Sequence, residues 1–182
     1  MNAPRNHHVP LLAVVAMVAS GCWSVELELP VSTGVAVVQG NEILHKAGAR
    51  IFGELFETVR VDPDIAEVEE LSSFYLESFY LGLTDDSLLP GDDDDLSFID
   101  RMIVYVRPSS PHCGLAEVEV ARFERGVERS TAEELVFSVT QRLELLPYLE
   151  CGFELRTEVE GLVPADDVSM EGIAIFVMVP GS

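Results

Sequence analysis

Lysine is almost missing from this 182-residue chain: Lys46 stands alone beside ten arginines, while aspartate and glutamate number 32. The formal charge of −21 argues against nucleic acid as a partner, because that binding rests on Lys and Arg neutralising phosphates. It equally opposes docking by charge on anionic lipid. A Gly-x-Ser-x-Gly elbow, a phosphate-cradling Gly-Lys-Ser/Thr loop and a His-Glu-x-x-His zinc helix are all absent, which disfavours the corresponding nucleophilic, nucleotide-dependent and metal-hydrolytic chemistries. No apolar run approaches the roughly 20 residues that a membrane-spanning helix needs. Cysteine occurs three times, too few for a disulfide framework to replace a core. A core is expected, since 48% of the residues are hydrophobic and global disorder needs far fewer.

The amino terminus carries Arg5, His7 and His8, followed by an uncharged apolar run over 11–19. That is the layout of an export signal. The run ends in Val18, Ala19, Ser20, Gly21 and Cys22, which resembles the lipobox of bacterial lipoproteins, with Ala19 where leucine is commonest. The resemblance implies that residues 1–21 are removed and that Cys22 carries diacylglycerol and an acyl chain of the palmitate kind. Membrane attachment then follows from the lipid on Cys22, each buried methylene contributing about 0.8 kcal/mol. It also implies a cell-envelope location, with the outer membrane favoured where there is one, because Trp23 rather than aspartate follows the cysteine. Ordinary secretion is the competing reading, since Ala19 and Gly21 also satisfy the small-x-small rule.

Without residues 1–21 the chain has 161 residues (182 − 21) and a charge of −22 (10 − 32), a length that fits one domain spanning 22–182. Alternation begins directly after the anchor, with Val25, Leu27 and Leu29 opposite Glu26 and Glu28, so almost no tether separates body and bilayer. Ile51, Phe52, Leu55, Phe56 and Val59 form one helical stripe, which predicts a helix over 46–59. Asp62 as cap and Pro63 in the first turn predict a second short helix ending near Leu71.

Segments rich in β-branched and aromatic residues at 74–83, 97–107, 115–123, 135–140, 153–159 and 172–179 predict strands. Six or seven strands make an antiparallel β-sandwich, mainly β, with one or two short helices in its N-terminal third. The last segment is apolar on both faces, as in a central strand covered on both sides. Pro147 prevents 143–149 from being a central strand and makes it a helical turn or a crossing between sheets. The whole is similar to uncharacterised β-sandwich lipoproteins.

With Cys22 committed to lipid, Cys113 and Cys151 remain as a pair suited to a disulfide in an exported chain. The competing reading is a zinc site of His45, His112, Cys113 and Cys151, whose spacing does not match known zinc modules. Asp92, Asp93, Asp94 and Asp95, with Asp85, Asp86 and Asp100 nearby, are the weak candidates for Ca²⁺, although the run lacks the alternating pattern of an EF-hand and fits a solvated turn better. Phe74, Tyr75, Phe79 and Tyr80 either fill the core or form a binding face. Together these readings predict a lipid-anchored, non-enzymatic binding or structural module, without cofactor, that serves an unidentified envelope protein. A calcium-dependent extracellular binding domain is the alternative. A carboxylate-based hydrolase ranks below both, because among 32 acids workable pairs arise by chance.

Overall fold

The computed structural model describes residues 26–61, 70–88 and 94–181. The signal segment, Cys22, Asp92 and Asp93 lie outside the described residues, as does nearly all of the second helix expected after Asp62. Two antiparallel sheets pack face to face. The four-stranded sheet runs in the order β1 (Leu27–Val38), β10 (Val168–Pro180), β4 (Leu71–Leu83), β7 (Glu134–Val136). The six-stranded sheet runs β2 (Arg50–Gly53), β9 (Phe153–Leu162), β5 (Ile99–Pro108), β6 (Val118–Glu124), β8 (Ser138–Val139), with β3 (Val59–Val61) also on β9. Two short α-helices, α1 (Glu42–Lys46) and α2 (Leu146–Glu150), and two 3-10 turns, Asp85–Leu88 and Pro111–Cys113, complete the described elements. None of the described helices is long and apolar enough to cross a membrane.

The period-2 pattern explains the layers. Along β5, Met102, Val104 and Val106 point into the core while Arg101, Tyr105 and Arg107 stay partly exposed on the outer face. Along β9, Phe153, Leu155, Thr157 and Val159 are buried between Glu154, Arg156, Glu158 and Glu160. The core is joined by rings from both layers: Phe74 stacks on Phe176 with centroids 5.0 Å apart, and Phe153 meets Phe176 edge-on at 5.4 Å. At the other end Phe137 reaches Phe79 at 4.8 Å and Phe123 at 5.7 Å. Such offset and edge contacts favour the aromatic quadrupoles beyond their buried area.

Four expectations are corrected. The helix over 46–59 does not form: α1 ends at Lys46, and β2 and β3 pair with β9 instead. Gly48 at φ +69° and Gly53 at φ +148° break the run, and the exposed edge of β9 offers its ladder to β-branched Ile51 and Val59. Of the supposed buried stripe, Phe56 is in the core while Phe52 is 69% exposed. The strand expected at 135–140 divides, β7 joining one sheet and β8 the other, with Phe137 at the crossing. Strand β10 is central within its sheet, but its outer face is unevenly covered: Ile173 is 41% exposed, whereas Val177 is 4% exposed. The aromatic cluster divides: Phe74 and Phe79 are fully buried in the core, Tyr75 is 6% exposed but outside the core cluster, and Tyr80 is 37% exposed.

The two ends of the sandwich differ. One end gathers the start of β1 and β4, the end of β10, α2 and the start of β9, tied by the Leu145 N–H to Phe74 carbonyl bond at 2.7 Å and Ser109 N–H to Gly152 carbonyl at 2.9 Å. The other gathers α1, the turn after β4 and the end of β9, where Asn41 N–H bonds Pro164 carbonyl at 2.9 Å and Thr84 N–H bonds Ser169 carbonyl at 3.1 Å.

Candidate functional site

The outer face of the six-stranded sheet is a checkerboard of opposite charges. Register sets Arg101 opposite Glu160, Ile103 opposite Glu158, Tyr105 opposite Arg156 and Arg107 opposite Glu154 across β5 and β9. On the other flank Arg101 faces Glu124, Ile103 faces Arg122 and Tyr105 faces Glu119 on β6. Cross-strand neighbours of opposite charge attract, and most of these residues are engaged. Arg156 binds Glu117 through both oxygens at 2.8 and 2.9 Å and Glu158 at 2.6 Å, with Glu54 at 3.8 Å. Its guanidinium lies 4.6 Å from the Tyr105 ring centroid, within cation–π range. Tyr105 donates its hydroxyl hydrogen to Glu158 at 3.2 Å. Arg50 binds Asp100 at 2.7 Å and Glu160 at 3.1 Å.

These contacts set the protonation states. Hydrogen bonding from Arg156 holds the Glu117 carboxyl below its ordinary range, outweighing the upward push of burial. The Arg122 fork does the same for Glu119. Burial, then the Glu158 charge, pushes the Tyr105 phenol up. The Arg156 guanidinium is raised by its bonds to Glu117 and stays charged under all ordinary conditions.

A groove of about 420 Å³ opens in this face between Phe52, Gly53 and Glu54 of the β2 edge and Arg101, Ile103, Tyr105, Arg156, Glu158, Val159 and Glu160. Ile103, only 4% exposed, lies on this outer face, and Phe52 presents its ring at the rim with the Arg50 guanidinium 5.8 Å from its centroid. The volume lies in the range of small-molecule sites, in which a few polar groups orient a mainly apolar ligand. Arg101 differs from the other arginines here: its Nε is buried without a hydrogen-bond partner, and the guanidinium makes no ion pair among the described residues. The three lining glutamates each have an arginine partner: Glu54 and Glu158 share Arg156, and Glu160 binds Arg50.

The sequence-predicted sites fall elsewhere. Cys113 and Cys151 are at disulfide distance, with Cα atoms 6.3 Å apart. They sit beside the start of β9, whereas the His45 ring bonds the Val163 carbonyl at 2.8 Å beyond its far end. Ten residues of strand, roughly 33 Å, therefore separate His45 from the cysteines, and the four-ligand zinc set cannot assemble. Of the calcium candidates within the described residues, the Asp95 carboxylate accepts the Ser97 N–H at 2.7 Å, the local turn bond expected of an aspartate in such a position. No group of three or more His, Cys, Asp or Glu side chains among the described residues is arranged to hold a metal.

Arg101, Tyr105 and Arg156 were not singled out from the sequence. Their signal was present as charge at alternate positions over 101–107 and 154–160, but only the pairing of β5 with β9 makes it one surface.

No protein-family model and no curated protein matches the chain. Among solved structures, a chain in the cryo-EM structure of Mud crab tombus-like virus at 3.3 Å resolution aligns with all of this chain and 94% of its own length, at 14% identity and a TM-score of 0.26. A likeness that slight bears on neither fold family nor function.

Proposed function

We propose that this protein is a lipid-anchored, non-enzymatic binding module of the cell envelope, held by acyl chains on Cys22 and presenting the groove of its six-stranded sheet to a ligand or envelope partner. The observation that carries the binding reading is the groove itself, an open site with apolar surface in which the Arg101 Nε has no hydrogen-bond partner among the described residues.

The anchor reading fits the topology. Strand β1 begins at Leu27, five residues after Cys22 (27 − 22), which leaves almost no tether. A lipid there would set the end of the sandwich that holds α2 and the cysteine pair against the bilayer. The turn bearing Asp94 and Asp95 would stand away from it by the length of β10, whose 13 residues extend roughly 43 Å. A net charge of −22 on the exported chain makes acyl chains, rather than electrostatics, the means of attachment.

Metabolic labelling with a palmitate analogue tests the anchor. The wild-type chain is expected to label and to fractionate with membranes, and Cys22→Ala to do neither. Undiminished labelling of the variant would overturn the proposal.

A further inference from the structure

We infer that the groove receives a carboxylate attached to an apolar or planar body, with Arg101 as the residue that binds the carboxylate. This rests on reading the groove as a binding site and names the chemistry of its ligand. Three observations converge. First, the two cations of the lining differ in state. Arg156 is engaged by Glu117, Glu158 and Glu54, whereas Arg101 has an enclosed Nε with no partner. An enclosed N–H donor without an acceptor is costly and is satisfied by whatever acceptor the site admits. The cross-strand neighbours do not supply one: Glu160 is bound by Arg50 at 3.1 Å, and Glu124 forms no ion pair with Arg101 although it lies opposite in the register.

Second, the charge limits what anion can enter. Arg101 and Arg156 stand against Glu54, Glu158 and Glu160 in the lining, two positive charges against three negative, so any anion depends on direct contact with Arg101 and a dianion such as phosphate is repelled more than a monoanion. A carboxylate carries one charge and presents two oxygens in the plane that a guanidinium fork matches. Third, the remaining surface asks for an apolar body. Phe52 is 69% exposed at the rim, with Arg50 5.8 Å from its ring centroid, and Ile103 is 4% exposed, while the Tyr105 ring carries Arg156 more closely, at 4.6 Å. A ring or short aliphatic group lying on Phe52 while its carboxylate reaches Arg101 would cover this apolar surface and give the Arg101 guanidinium an acceptor together.

A free small acid and the carboxyl terminus of a peptide share this chemistry. Calorimetric titration of the full chain in non-ionic detergent separates them, with N-acetylphenylalanine, its uncharged amide, and N-acetyl-Ala-Ala-Phe as probes. The acid is expected to bind more tightly than the amide by roughly tenfold, the worth of one charge-assisted pair. In Arg101→Gln, whose melting temperature shows whether it folds, that preference should vanish. In Arg101→Lys, which keeps the charge without the fork, it should be partly retained. Tighter binding of the tripeptide than of the single residue points to a peptide terminus, and equal binding to a small acid. Equal affinity for acid and amide, or unaltered acid binding by Arg101→Gln, overturns the carboxylate assignment. Failure of every probe to bind wild type overturns it together with the groove as a binding site, and leaves the lipid anchor, tested by labelling, untouched.

Discussion

Thr33 and Gly172 are locked together across β1 and β10. The Thr33 Oγ1 accepts the Gly172 N–H at 2.9 Å, and its own hydrogen is directed at the Gly172 or Gly34 carbonyl, each 3.2 Å away. The pair stands where the β1 register shifts between Ser32 and Val35, next to Gly34 at φ +75°. Thr33 is only 5% exposed, so the hydroxyl replaces the ladder bond that a bulge would leave unmade.

Thr33→Val keeps shape but leaves a buried N–H without a partner, and is expected to cost about 1–3 kcal/mol. Thr33→Ser keeps the hydroxyl and should cost less. Gly172→Ala sets a Cβ 2.8 Å from Thr33 Oγ1 and 2.9 Å from Phe79 Cζ, an overpacking expected to cost about 1–3 kcal/mol. Urea midpoints at constant slope measure all three, and a neutral Thr33→Val would show that the lock contributes nothing.

Cys113 and Cys151 bound a segment of 39 residues (151 − 113 + 1). Joined as a disulfide, they should stabilise by about 4 kcal/mol on the chain-entropy model. Mass spectrometry of unreduced protein taken from the envelope should find the linked peptides, and reduction should lower the melting temperature. Two freely alkylatable thiols would refute the bridge.

Glu144 joins β4 to α2. Its Oε1 accepts the N–H groups of Phe74 at 3.0 Å and Leu146 at 2.9 Å, and Oε2 accepts the Ser73 hydroxyl at 2.6 Å. Burial pushes this carboxyl up, but the bonds from Ser73, Phe74, Leu146 and Leu145 together prevail and hold it below its ordinary value. A carboxyl lowered by folding stabilises above its unfolded pKa and loses that contribution as pH falls through the folded value. Wild type should therefore exceed Glu144→Gln in melting temperature at neutral pH, with the gap closing as pH falls through and below the ordinary glutamate range. A gap indifferent to pH would mean that charge plays no part in the contact.

For the acidic turn, replacing Asp92, Asp93, Asp94 and Asp95 with asparagine is expected to move stability by less than about 1 kcal/mol. At constant ionic strength, about 5 mM Ca²⁺, above the weak extracellular range, should shift the melting temperature no more than Mg²⁺ does. A calcium-selective rise in wild type that disappears in the asparagine variant would instead establish a metal site by mass action on the folded state.

What the sequence by itself determined is what local periodicity and composition carry. Alternation along 101–107 and 153–159 specified strands with one buried face, Pro147 barred a central strand and allowed the first turn of α2, and the spare pair of cysteines was found at bonding distance. Tertiary structure decided the rest. The stripe at Ile51, Phe52, Leu55, Phe56 and Val59 satisfied helical spacing, yet the free edge of β9 provided more hydrogen bonds than a short helix interrupted by Gly48 and Gly53 could. The site was hidden for a related reason. Arg101, Tyr105 and Arg156 are separated by up to 55 residues (156 − 101), and only long-range strand pairing brings them to one groove and decides, among the described residues, that Arg156 is held by carboxylates while the Arg101 Nε has no hydrogen-bond partner.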